Sequence, residues 1–198
     1  MAQSRQLILA SASPRRAALL EQIGVAFTVI PANVDETHRD DESPESYVAR
    51  LAKTKARAVA NTAPENTAIL GADTVVVNHG EILLKPHDDA DARHMLSTLS
   101  GAPHEVLTSV ALALADDESH CETIVVKTSV RFRELSAREI ARYVASGESQ
   151  DKAGAYGIQG VAAAFVESIT GSYSNVVGLP LAETYRLLVE NDVETALS

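Results

Sequence analysis

"QLILASASPRRAALLEQIG", Gln6–Gly24, holds the reading that decides the fold. Leu7, Ile8, Leu9 and Ala10 form a continuous apolar run, which predicts a short buried strand over Gln6–Ala10. A small-residue turn follows. Ser13 is a candidate N-cap and Pro14 stands at the first helical position, so a helix is expected over Pro14–Ile23, with Gly24 as its stop. A strand feeding a helix this tightly is half of an α/β unit. The turn also carries a conflict. A helix N-terminus is partially positive and presents free backbone N–H groups, yet two cations, Arg15 and Arg16, sit in its first turn. An anion resolves the conflict. A phosphate would meet the N–H groups, the hydroxyls of Ser11 and Ser13 and a bidentate guanidinium together. Two solvated arginines on an exposed turn are the plainer alternative.

Outward from this stretch, strands and helices alternate. Val25–Ile30 reads as a strand. An acidic loop, Asp35 to Glu42, precedes a helix started by Ser43-Pro44 and running to about Ala60. Strands are expected over Ala68–Val77 and, after the turn Asn78-His79-Gly80, over Glu81–Leu84. A helix over about Ala90–Leu99 leads to two long strands, Glu105–Leu114 and Glu122–Arg133. Ser136 and Glu139 form a capping box for a helix ending near Gly147. Gln150–Gly160 reads as a glycine-rich loop, Val161–Ile169 as a strand, Gly171–Pro180 as a loop and Leu181–Asn191 as a final helix. The hairpin-like pairs in the middle predict a mixed rather than a parallel sheet, flanked by helices. No Pro/Ser-rich linker divides the 198 residues, so one domain over 1–198 is expected.

The bulk properties exclude several classes of function. A net charge of −10 repels nucleic acid and anionic membrane, so no partner of either kind is expected. A chain this acidic that handles phosphate must gather its cations locally. The single cysteine, Cys121, forbids an internal disulfide and fits a reducing cytoplasm. The N-terminal apolar run is too short for a signal peptide, and no stretch approaches the roughly 20 apolar residues that span a bilayer. There is no GxxxxGK[ST], no HExxH, no CxxC and no GxSxG, and the six histidines are scattered singly.

Four further residues break the local pattern. Val48, Leu51, Ala52, Ala56 and Val59 make one apolar stripe. At about 100° per residue Lys55 lies only about 20° from Val48, inside the stripe, whereas Lys53 falls off it. Lys55 either snorkels to solvent or points into a polar cleft. Asp73 interrupts "AILGADTVVV", Ala68–Val77; a charge in an apolar strand is expensive unless it is paired or binds metal, or unless it caps a neighbouring turn. Glu36 is one of many acids in its loop, and Lys85 precedes Pro86 after a strand; a solvated surface would explain either one alone. Together, two carboxylates and several cations suit a hard divalent metal and phosphates.

The motifs SASPRR (Ser11–Arg16), AKTKA (Ala52–Ala56), GADTVV (Gly71–Val76), LKP (Leu84–Pro86), LSG (Leu99–Gly101), DKAGAYGIQG (Asp151–Gly160) and GSYSNVVGLPL (Gly171–Leu181) recur in order along nearly the whole chain. In this the sequence resembles the Maf proteins, which are nucleoside triphosphate pyrophosphatases. The resemblance implies a mixed α/β fold of the Maf/ITPase-like kind, with two lobes around a deep cleft, and a homodimer. It implies cleavage between the α- and β-phosphates to give a nucleoside monophosphate and pyrophosphate, with Mg²⁺ or Mn²⁺ as cofactor. DKAGAYGIQG looks like the branch acting on dTTP and UTP, modified pyrimidine triphosphates being further candidates, as house-cleaning of the nucleotide pool. By position, the resemblance implies Asp73 as catalytic acid–base residue, Glu36 as the carboxylate on the metal side with Asp73, and Arg16, Lys55 and Lys85 as phosphate-handling cations. Arg15, Thr74 and Gln159 match positions linked to base selectivity. Leu84, where many members have glycine, and Val161-Ala162-Ala163-Ala164, where they have a more glycine-rich run, depart from the pattern without removing a proposed catalytic group. The alternatives are the same reaction on another nucleotide such as 7-methyl-GTP, or a nucleotide-binding regulator of septum formation. Strict strand alternation would place Asp73 and Thr74 on opposite faces.

Overall fold

The structure, a computed structural model, describes residues 4–198. In chain order the elements are β1 (Gln6–Leu9), α1 (Pro14–Gln22), β2 (Phe27–Val29), α2 (Pro44–Ala60), β3 (Thr67–Asn78), β4 (Glu81–Leu83), α3 (Asp89–Leu99), β5 (Pro103–Leu114), β6 (Asp117–Phe132), α4 (Ala137–Ala145), β7 (Val166–Thr170), α5 (Tyr173–Val177) and α6 (Leu181–Glu190). The strands form one seven-stranded sheet in the order β2-β1-β3-β5-β6-β7, with β4 paired to β3 beside that path. β1 runs parallel to both β2 and β3, whereas β3–β4 and β6–β7 are antiparallel. The sheet is therefore mixed, and helices alternate with its strands, as the sequence pattern predicts. Among the described residues no helix is long and apolar enough to cross a membrane.

The chain divides into two compact units. The first comprises the chain up to Asp73, Thr108–Val126 and Gly178–Ser198. Ile8 from β1 and Ala10 just after it, Ala52, Ala56 and Val59 from α2, Ile69 from β3, and Ala111 and Ala113 from β5 are buried together in it. The second unit comprises Thr74–Leu107 and Lys127–Val177. There α3 packs against α4, and His104, Phe132, Tyr156, Phe165 and Tyr143 make a chain of edge-to-face ring contacts with centroids 4.8–5.9 Å apart.

Three helix starts, those of α2, α3 and α4, follow the capping chemistry. Ser43 and Asp88 accept from the N–H groups of Ser46 and Asp91, and Ser136 with Glu139 makes the full reciprocal capping box. Ser13 flanks α1 in extended conformation, but its side chain makes no cap bond. Two longer readings are corrected. Val161–Phe165 is a 3₁₀ turn, and only Val166–Thr170 is strand. The backbone of this turn is claimed by side chains instead of a ladder: Glu148 Oε2 accepts from Val161 N at 3.1 Å, and Arg133 Nε donates to the Ala164 carbonyl at 2.9 Å. Pairing begins only where Val166 meets Phe132. The expected loop Gly171–Pro180 contains α5, whose start is held by the Ser172 hydroxyl accepting from Asn175 N.

Candidate active site

Helix α2 buries Val48, Leu51, Ala52, Ala56 and Val59, and Lys55 with them, at 7% exposure; Lys53 stays partly open. Helical geometry thus separates the two lysines as expected, and the ammonium of Lys55 does not snorkel. Its Nζ donates to Asp73 Oδ1 at 2.7 Å and sits 2.6 Å from Glu36 Oε1. Asp73 is 8% exposed in a strand otherwise buried almost throughout, while the Glu36 side chain keeps about half its surface in solvent (49%). A buried charge needs a partner of this kind to be tolerated.

Gly71 makes the pairing possible. A Cβ there would fall on the Ala52 carbonyl oxygen and 2.7 Å from Ala56 N, so α2 and β3 approach backbone to backbone on either side of Lys55. Two residues later the same strand delivers Asp73.

Arg16 joins from α1. Its Nε donates to the Gly178 carbonyl at 2.8 Å and its Nη1 to Ser11 Oγ at 3.1 Å; the same hydroxyl accepts from Ser13 N at 3.2 Å. The conflict at the helix start therefore has a structural component: Ser11, rather than Ser13, organises the turn, and Arg16 is braced across it. Burial lowers the pKa of Arg16 from its ordinary value and neighbouring Arg15 adds to this, while Asp73 and Glu36 oppose it. A guanidinium remains charged regardless. Burial drives the Asp73 carboxyl upward; Lys55 and Arg16 pull it back, and Glu36 pushes it further up. A carboxylate raised above its ordinary range, fixed on a lysine and facing an arginine, has the character of a general base.

The cluster thus gathers Asp73, Lys55, Glu36, Arg16 and Ser11, all from the first unit. Arg15 and Ser13 are half-buried on the same turn. The remaining expected residues belong to the second unit. Thr74 is half-buried next along β3, Lys85 is exposed in the bend after β4, and Gln159 is exposed on the loop Asp151–Gly160. That loop is anchored by Lys152 Nζ on the Glu148 carbonyl (2.7 Å) and by Gly154, φ +64°, where a Cβ would press on Val76. Among the described residues no three carboxylates, histidines or cysteines gather as a metal centre. Two carboxylates, Asp73 and Glu36, do converge on one cationic point, now the Lys55 ammonium. Such a pair, completed by phosphate oxygens and water, is the donor set that Mg²⁺ commonly takes.

The model of the Maf-like protein family matches residues 6–191. The chain belongs to the Maf family. Relatives named dTTP/UTP pyrophosphatase include one from Hahella chejuensis (strain KCTC 2396), 53% identical over 188 residues, which are 94% of this chain and 92% of the relative. One from Pseudoalteromonas atlantica is 54% identical over 92% of this chain and 95% of its own. One from Escherichia coli (strain K12) is 54% identical over 92% and 91%. A solved HAM1 protein from Coxiella burnetii superposes with a TM-score of 0.50 at 18% identity, covering 94% of this chain and 99% of that one; it shares the fold. Within the Maf motifs the structure adds two backbone roles that side-chain chemistry did not signal, the close approach at Gly71 and the Gly178 carbonyl that braces Arg16. Both are glycines in long motifs, which is where a close approach leaves its trace in a sequence.

Proposed function

We propose that this Maf protein hydrolyses dTTP and UTP, with modified pyrimidine triphosphates as further substrates, releasing the nucleoside monophosphate and pyrophosphate. The observation that carries the reading is the Lys55 ammonium shared between a buried, upward-shifted Asp73 and Glu36, with Arg16 braced alongside. The long relatives at 53–54% identity, all named dTTP/UTP pyrophosphatase, support the substrate class.

Asp73 accepts a proton from water as that water attacks the α-phosphorus; the bond to the bridging oxygen breaks, and pyrophosphate leaves with that oxygen. Arg16, Lys55 and Lys85 neutralise the triphosphate and the departing pyrophosphate. Ser11 and Ser13 offer hydroxyls at the start of α1. Arg15, Thr74 and Gln159 select the base, the Gln159 amide offering both a donor and an acceptor to the O4/N3 edge of thymine or uracil. Asp73 and Glu36 would hold Mg²⁺ or Mn²⁺ against the phosphates, and such an ion supplies charge neutralisation of the phosphate oxygens. We read 1–198 as one working domain that acts as a cytoplasmic homodimer.

The test is product analysis over a panel of nucleoside triphosphates with Mg²⁺ or Mn²⁺. Monophosphate and pyrophosphate from dTTP and UTP are expected. Release of orthophosphate instead, or turnover of 7-methyl-GTP alone, contradicts the reading. Tight binding without turnover would favour a regulator.

A further inference from the structure

The structure assigns Tyr47 as a positioning residue that sets the Glu36 carboxylate on Lys55 by holding the backbone of its loop; this rests on the pyrophosphatase reading above. Glu36 lies in an irregular, acidic, largely exposed segment, where nothing regular fixes a side chain. The segment is nonetheless tied to α2 at three places. The Tyr47 hydroxyl donates to the Glu36 carbonyl oxygen at 2.8 Å. One helical turn on, Arg50 donates through Nε and Nη2 to both Glu42 carboxylate oxygens, each at 2.7 Å, and through Nη2 to the Thr37 carbonyl at 3.1 Å. Asp35 closes the loop locally by accepting from Thr37 N and Oγ1.

Tyr47 is well suited to this work. It is 3% exposed, so its hydroxyl is fixed by packing, and the Arg50 guanidinium lies over its ring at 5.4 Å while the His38 ring stands 5.3 Å away. Burial, with Asp73 and Glu36 adding to it, pushes the phenol up to about 12, so it remains a donor at any working pH. Lys55 lies two turns further along the same helix, and helical side chains lean back toward the N-terminus. One rigid element therefore holds both ends of Glu36, its carbonyl through Tyr47 and its carboxylate through Lys55. A catalytic carboxylate on a loop needs such support, because a small misplacement of a charged group is costly in rate.

The test is a double-mutant cycle, since a residue that acts through another loses its effect once that other is removed. Tyr47→Phe keeps the ring and its stacking and removes one hydroxyl. It is expected to lower kcat for dTTP about 5–20-fold with KM changed less than about 2-fold, and to cost less than about 2-fold in a Glu36→Gln background. Equal losses in both backgrounds, or no loss in the first, overturn the assignment. Backbone amide exchange over residues 35–38 supplies an activity-independent arm: Tyr47→Phe should speed exchange there about 10-fold while β3 stays protected. Unchanged exchange overturns the positioning role. If the wild-type protein releases no pyrophosphate, the pyrophosphatase reading fails, and the exchange arm still decides whether Tyr47 orders the loop.

Discussion

Lys55 is the residue at which sequence and structure argue most directly with each other. Its place in an apolar stripe is a violation of pattern that helical periodicity alone exposes, and the fold turns it into a shared partner for Asp73 and Glu36. Asp73 was legible for a similar reason, as a charge inside an apolar strand. Glu36 was not, because its loop holds five acids and only the geometry of Lys55 tells which one matters. The Arg16 conflict was legible as a signal, and Ser11 as a hydroxyl beside it, but the brace to the Gly178 carbonyl, 162 residues away in sequence, was not. A pH prediction follows from this pair of charges. On the proposed mechanism Asp73 works as the ionised base, and its pKa is raised, so the acidic limb of kcat/KM should lie above the ordinary carboxylate range. Lys55 holds that pKa down, so Lys55→Met should move the limb to higher pH and lower the rate at neutral pH about 10²–10³-fold. A limb that stays in place would separate Lys55 from the base.

At the scale of elements, five helices, α1 to α4 and α6, were legible to within one or two residues, because caps and periodicity are local signals. The single turn of α5 is too short to show a period and reads as loop; the late start of β7 was not legible because long-range partners decide it. Nothing local in Val161–Phe165 announces that Glu148 and Arg133 will take its backbone groups and delay the strand. The packing of α2 on β3 through Gly71 is the element-level feature with the clearest consequence. Gly71→Ala should force the two backbones apart and destabilise the fold by about 1–3 kcal/mol. It should also reduce pyrophosphate release more than the loss of stability explains, because Lys55 and Asp73 move apart. Denaturant midpoints and rates measured on the same preparation check this. A variant of full activity would show that the approach serves packing alone.

For the whole molecule, the mixed class follows from the alternation of strands and helices with central hairpins, whereas the strand order was not legible in the sequence and the division into two units was written in no linker. Stability should depend on pH through a residue given no part in the proposed chemistry. His104 is buried at 3% exposure, shares a 2.8 Å hydrogen bond with the Tyr156 hydroxyl, and burial pushes its pKa down to about 4. The folded state thus refuses a proton that the unfolded chain takes up below about pH 6.5. Stability is therefore full above that pH and falls as the pH drops toward the folded pKa, by about 2 kcal/mol between pH 7 and 5. His104→Gln should lose this part of the slope in chemical denaturation; an unchanged slope would assign the effect elsewhere.

The central claim, that Asp73 on Lys55 is the base of a pyrimidine triphosphate pyrophosphatase, is tested most directly by pyrophosphate release from dTTP by wild type and Asp73→Asn. The account predicts release by wild type and a loss of at least about 10²–10³-fold in the variant, with its unfolding transition retained. Near-wild-type release by a folded Asp73→Asn variant would contradict it.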